Sequence, residues 1–253
     1  MLNPLEHELL FSLASFFCFW SMTWAGSSFR RRTQLAGVDR EEFLFILGGT
    51  LTLLALIIGF TFSMAVARYD LRKQYEEEEA NTIDTEYDRA DLLSPVDAAR
   101  VHGQLRSYLD QRILHYESGS NQQMEKIDAQ IERLQRNMWA SVAGPAAAQP
   151  TPVNTLILSG MNEVIDSQGR AQAASWNRIP IAAWGLVTLI SMFCNFLIGY
   201  SLPGNRAFLS LILPIALAAS LVFIADIDSP NRGLIHVQPH NLESLANSLR
   251  EPK

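Results

Sequence analysis

The chain has 253 residues, 48% of them hydrophobic, with a formal net charge of −6 and no basic tract. Length allows one or two domains, and a net charge of −6 without a basic tract argues against a nucleic-acid partner. The two cysteines, Cys18 and Cys194, sit in apolar surroundings with no metal-ligand neighbour, so they carry neither a disulfide framework nor a zinc motif.

The charges are unevenly spread. Four windows lack them altogether: Leu9 to Gly26, Phe43 to Ala67, Ile179 to Asn205 and Ala207 to Ala225. Each approaches the ~17–25 residues an α-helix needs to cross a bilayer core. A single such window reads equally as a buried helix, but four in two close pairs read as membrane spans. The first reads as a retained span rather than a secretory signal, because Glu6 and Glu8 precede it and Arg30, Arg31 and Arg32 follow it. Trp20 and Trp24 near its end suit an interfacial belt.

In chain order, the first two spans are joined by a short link, Ser27 to Glu42. The second span continues as a helix into water. Arg68 to Leu93 holds no Gly or Pro, and Ala80, Ile83, Tyr87, Ala90 and Leu93 form a packing stripe. Ser94-Pro95-Val96-Asp97 ends it and starts the next helix, with Ser94 as N-cap and Pro95 in the first position. Val101, Leu105, Tyr108, Leu109 and Ile113 form that helix's stripe, and the Ser118–Asn121 patch breaks the chain. A third soluble helix is expected over Gln122–Val142, with Met124, Ile127, Ile131, Leu134 and Met138 on one face. Gly144 to Pro152 reads as a loop, and a fourth helix, Val153–Asn177, leads to the third span. The last two spans are joined by a Pro203-Gly204 turn, and Pro214 should kink the fourth.

The expected fold is all-α: four transmembrane helices in two hairpins, with a helical soluble domain between spans 2 and 3. Its parts are a first hairpin (1–67), a soluble domain (68–178), a second hairpin (179–226) and a C-terminal tail (227–253). Orientation stays open, because the Arg30–Arg32 run is balanced by Arg68, Arg72, Lys73, Arg170 and Arg178.

Catalytic signatures are missing: no phosphate-cradling glycine loop, nucleophile elbow or paired-Cys motif. The expectation is therefore a non-enzyme without a cofactor. His236 and His240 stand four apart, but Pro239 between them speaks against a helical metal pair. The Glu76–Glu79 run reads most simply as a solvated helix face, and less simply as a weak Ca²⁺ site or acidic vestibule. Asp226 and Asp228 end the fourth span, with Arg68 or Arg72 as the best structural partners. No charge lies inside the spans, which disfavours a coupled transporter and suits a pore. Gly48, Gly49 and Gly59 permit close helix approach in the second span. Phe60, Thr61, Phe62 and Ser63 near its end are the lining or gating candidates, with packing as the plainer role for the phenylalanines.

Several stretches together carry a family likeness. Gly59-Phe60-Thr61-Phe62-Ser63-Met64-Ala65, Arg68-Tyr69-Asp70, Arg72, Glu79-Ala80-Asn81-Thr82-Ile83 and Arg89-Ala90-Asp91-Leu92-Leu93 are the first group. Arg170 with Asn177-Arg178-Ile179-Pro180, and Asp226-Ile227-Asp228-Ser229-Pro230-Asn231-Arg232-Gly233-Leu234-Ile235, are the second. From about Phe43 to Val237 the chain resembles the bestrophin-like family of bacterial membrane proteins. The resemblance implies an oligomer, a pentamer by analogy with bestrophins, that passes inorganic anions such as chloride across the bacterial inner membrane. It also implies a soluble domain in the cytosol and a polar cluster at the membrane boundary: Arg68, Asp70, Glu79, Asn81, Asp226, Asp228 and Arg232. The apolar, proline-containing neck run of bestrophins is not recognisable here. The competing reading is a non-conducting membrane scaffold or sensor whose helical domain binds a partner or ligand.

Overall fold

A computed structural model describes residues 4–32, 40–118, 121–202, 208–230 and 233–250. The described residues form eight α-helices and no strand. These are α1 (Pro4–Arg32), α2 (Arg40–Ala90), α3 (Pro95–Glu117), α4 (Asn121–Ala148), α5 (Pro152–Trp176), α6 (Ile181–Ser201), α7 (Leu209–Asp228) and α8 (His240–Ser248). Four helical stretches are long and apolar enough to cross a membrane: Leu9–Arg31, Arg40–Ala90, Pro152–Ser201 and Leu209–Asp228. The Pro203-Gly204 turn and Arg206 lie outside the described residues.

The chain divides into two compact units, residues 1–67 with 178–235 and residues 68–177 with 236–253. The first unit holds α1, the apolar half of α2, α6 and α7. Its core gathers Phe19, Leu54, Val187, Cys194, Leu217, Ala218 and Leu221. Gly26 on α1 and Gly199 on α6 set the spacing of those helices. A methyl at Gly26 would strike the Phe196 carbonyl, and one at Gly199 would strike the Thr23 carbonyl. Small residues let helices approach this way where water supplies no driving force. Buried polar groups add directional contacts. Thr23 Oγ1 donates to Phe19 O at 3.2 Å and to Asn195 Oδ1 at 3.3 Å, and Asn195 Nδ2 donates to Ser191 O at 2.7 Å. Arg30 Nη1 donates to the carbonyls of Tyr200 (3.1 Å) and Ser201 (2.8 Å), placing positive charge at the C-terminus of α6. One member of the arginine run therefore has a local structural use, independent of membrane topology.

The second unit is a helical bundle built on the polar half of α2. Ala80, Ile83, Tyr87 and Ala90 are buried with Val101, Leu105, Tyr108 and Leu109 of α3, Ile127, Ile131 and Met138 of α4, and Ile157, Met161 and Val164 of α5. The three- and four-residue spacing anticipated the stripes of α2, α3 and α4. Ser94 caps α3 through Asp97 N (3.3 Å), and Thr151 caps α5 through Asn154 N (3.2 Å), each followed by a proline in the first turn.

Two expectations need correction. α4 does not stop at Val142 but runs to Ala148 with Pro145 inside it. Proline costs most in a helix interior; near the end it forfeits one bond, and Ala146–Ala148 are the best helix formers. The C-terminal segment is not a bare tail either. α8 begins at His240, and its Leu242, Leu245 and Ala246 complete the core of this unit.

Candidate functional site

The lining candidates lie on one turn of α2, and a helix turns about 100° per residue. They therefore cannot all face one way. Thr61 is buried at 4% exposure, and its hydroxyl donates back to Ile57 O at 2.8 Å. Phe62 stacks on Phe223 of α7, with ring centroids 6.0 Å apart. Phe60 (64% exposed) and Ser63 project from the other side. Along that side the exposed residues recur as Phe45, Gly49, Thr52, Leu56, Gly59, Ser63 and Ala67. A side chain built at Gly48, Gly49 or Gly59 would meet nothing. Among the described residues the close approach expected at these glycines does not occur; the space beside them is open. Thr52 Oγ1 returns its proton to Gly48 O at 2.9 Å, leaving its lone pairs outward.

The acidic run on α2 is only half a solvated face: Glu77 is exposed and Glu78 partly so, but the other two are not. Glu76, Glu79 and Glu86 are almost wholly buried. Glu76 Oε1 accepts from Asn241 N (2.9 Å) and Leu242 N (3.0 Å), and Oε2 accepts from Asn241 Nδ2 (2.6 Å). It thus acts as a borrowed N-cap for α8, whose own N-cap, Pro239, has no side-chain acceptor. Glu78 receives Arg170 Nη2 at 2.9 Å, which also reaches Glu163 at 2.6 Å. Glu79 holds Arg112 in a two-pronged pair, Nε to Oε1 at 2.5 Å and Nη2 to Oε2 at 3.0 Å, with the Tyr108 hydroxyl at 3.3 Å. Burial pushes the Tyr108 phenol well above its ordinary range, helped by the Glu79 charge. Burial and the Arg112 charge lower His115, against the pull of Asp128, whose carboxylate is 2.8 Å away.

Within the helical unit, the boundary candidates Arg68, Asp70, Glu79 and Asn81 do not form a single group. Arg68 and Glu79 stand eleven positions apart on α2, about 16 Å along its axis. Glu79 belongs to the buried pair, while Asp70 and Asn81 are exposed. Arg232 lies outside the described residues. Asp226 and Asp228 are both 6% exposed at the C-terminus of α7, where the helix dipole disfavours negative charge. Backbone amides compensate. Asp226 accepts from Leu234 N (2.8 Å) and Ile235 N (2.9 Å), and Asp228 accepts from Ile179 N at 3.1 and 3.2 Å. Gly233 makes the return possible, having φ of 149° and space for no side chain beside the Asp226 carboxylate.

Among the described residues no three acidic, histidine or cysteine side chains gather as a metal site. His240 lies 3.5 Å from Glu243 and is largely exposed.

The family model for the Bestrophin-like domain matches residues 10–242. The chain belongs to the bestrophin-like family. Solved structures agree at the level of fold. A bacterial bestrophin homolog from Klebsiella pneumoniae, in one mutant form, superposes with a TM-score of 0.67 at 12% identity, covering 94% of this chain and 97% of that one. A second mutant form of it gives 0.62 at 13% identity, covering 94% and 95%. A structure described only as a membrane protein gives 0.68 at 11%, covering 94% and 97%. A search of curated proteins gives no match. The bestrophin-like fold is thus present with almost no sequence in common. The signals that sequence reading missed are the distant partners of Glu76 and Glu79, and the Pro239-led helix with Leu242, Leu245 and Leu249 on one face.

Proposed function

We propose that this bestrophin-like protein is an oligomeric membrane channel or pore that passes inorganic anions, with the outward stripe of α2 turned to the conduction path and to neighbouring copies. The carrying observation is the makeup of that stripe. A helix face meant for acyl chains is large and apolar throughout, whereas beside Phe45 and Leu56 this stripe carries Gly49, Thr52, Gly59, Ser63 and Ala67, small or hydroxyl-bearing and exposed, with open space among the described residues at both glycines. In a membrane such a face suits helix contact or a narrow lined passage. Phe60 stands beside it as the bulky element of a constriction. The anion preference, a pentameric count, an inner-membrane location with lipid around the spans, and a cytosolic helical domain rest on the family. So does any Ca²⁺ response.

The alternative is a non-conducting scaffold or sensor. Its support is the exposed pair Leu92 (57%) and Val96 (71%) at the turn between α2 and α3, an apolar spot on the helical unit.

The deciding test is chloride against potassium flux from liposomes holding the purified protein, with and without Ca²⁺. The channel reading expects chloride-selective flux that changes severalfold on Phe60→Ala or Ser63→Leu. Silent liposomes containing well-folded oligomers would refute it and favour the scaffold.

A further inference from the structure

One buried acid in the helical unit has only a long ion pair and no hydrogen bond. Glu86 lies on α2 with its side chain 0% exposed, and neither carboxyl oxygen has a hydrogen-bond partner. The nearest cation, Arg89 one turn on, reaches only 3.7 Å and is itself 35% exposed. Opposite Glu86 is Gly160 of α5, and a methyl there would occupy the space of the Glu86 carboxyl and crowd the Arg89 head.

The position is the last rung of an antiparallel seam. Glu78 pairs with Arg170, Thr82 Oγ1 donates to Ser167 Oγ at 3.1 Å, and Glu86 meets Gly160. The first two rungs are satisfied polar contacts. The third is a carboxyl pressed against a bare backbone. An ionised carboxylate sealed there has no hydrogen bond and only the distant Arg89 as partner, a penalty that a neutral acid avoids.

Among the described residues no cation but Arg89 comes within ion-pair distance of Glu86, and the charged groups of the other helices have partners or face solvent. On α5, Glu163 is held by Arg170. On α3, Arg112 serves Glu79, while His102 stacks on the Tyr87 ring and Arg106 donates to the Tyr87 hydroxyl. On α4, Asp128 faces His115, and Glu132 and Arg136 point to solvent. On α8, Glu243 lies beside the exposed His240.

We propose that the Glu86–Gly160 contact is a proton-operated latch: the α2–α5 seam closes on the neutral acid and loosens when the proton leaves. Burial raises the Glu86 acid to about 8, against the opposing pull of Arg89. An acid whose closed-state value is raised stabilises the closed seam fully below the ordinary glutamate range. That stability then falls as pH rises and is exhausted at the closed-state value, so the window runs from about 4.5 to about 8. The latch does not depend on conduction, and its failure would leave the channel reading untouched.

The test is amide hydrogen exchange on the full chain in detergent, from about pH 5 to about pH 9. Protection factors are read for peptides covering 152–170, after correction for base-catalysed intrinsic exchange. One released proton makes the opening equilibrium rise about tenfold per pH unit until it levels near pH 8. Glu86→Gln, neutral and of the same shape, should give a flat profile that stays protected. A flat profile in the parent, or an unchanged slope in Glu86→Gln, overturns the latch. Should that variant fold poorly, infrared difference spectra of the parent decide. A protonated-carboxyl C=O band lost on raising the pH supports the proposal, and its absence sinks it.

Discussion

Replacing Arg112 with Met would strand the Glu79 carboxylate at the centre of the helical unit. Arg112 is 2% exposed and Glu79 is 0% exposed, so no water can take the place of the guanidinium. Two hydrogen bonds and the charge partner vanish together, along with the contact of Arg112 over the Tyr116 ring, 5.4 Å from its centroid. Breaking a buried pair from one side costs about 3–5 kcal/mol, mostly the penalty of an uncompensated charge. At roughly 2–4 °C per kcal/mol, the melting temperature should fall by about 6–20 °C. The origin of the loss can be separated from packing. Adding Glu79→Leu and Tyr108→Phe removes the stranded charge and the hydroxyl that would lose its acceptor. Because apolar replacement of a whole buried network is often neutral, the triple variant should recover most of the loss. The assay is thermal unfolding of the detergent-solubilised chain by circular dichroism. If Arg112→Met melts within about 2 °C of the parent, or the triple variant is no better than the single one, the reasoning about this pair is wrong.

Removing the borrowed cap, by Glu76→Ala, deprives α8 of three hydrogen bonds and should weaken its docking by about 1–2 kcal/mol. Limited proteolysis would show earlier cleavage across 236–250, and unchanged cutting would mean that apolar contacts alone hold α8. In the membrane unit, Gly199→Ala drives a methyl into the Thr23 carbonyl and should abolish a monodisperse peak on size exclusion. Gly49→Ala, with nothing near it in the chain, should leave the fold intact, so equal behaviour of the two would contradict the α1–α6 spacing.

Much of the architecture was legible because its signals are local. Charge-free windows mark the spans, and Ser94-Pro95 and Thr151-Pro152 mark two helix starts. The Ala80-Ile83-Tyr87-Ala90 spacing marks a buried stripe. The acidic run was opaque for the opposite reason. Four glutamates in a row look solvated, and what buries two of them lies 33 and 165 residues away, at Arg112 and Asn241. The same holds for Asp226 and Asp228, whose partners are backbone amides that carry no sequence signature. On α2, composition alone gave four adjacent lining candidates; only the helical phase separates Phe60 and Ser63 from Thr61 and Phe62.

The docking of α8 also orders events during synthesis. Leu242, Leu245 and Ala246 belong to a core whose other members lie between Ala80 and Val164. Two apolar helices, α6 and α7, are translated between those parts. The ribosome therefore delivers both to the insertion machinery before the bundle receives its final wedge. Until then the nascent domain carries Glu76 without its amides and an open apolar cleft, the state in which a holding chaperone would find it.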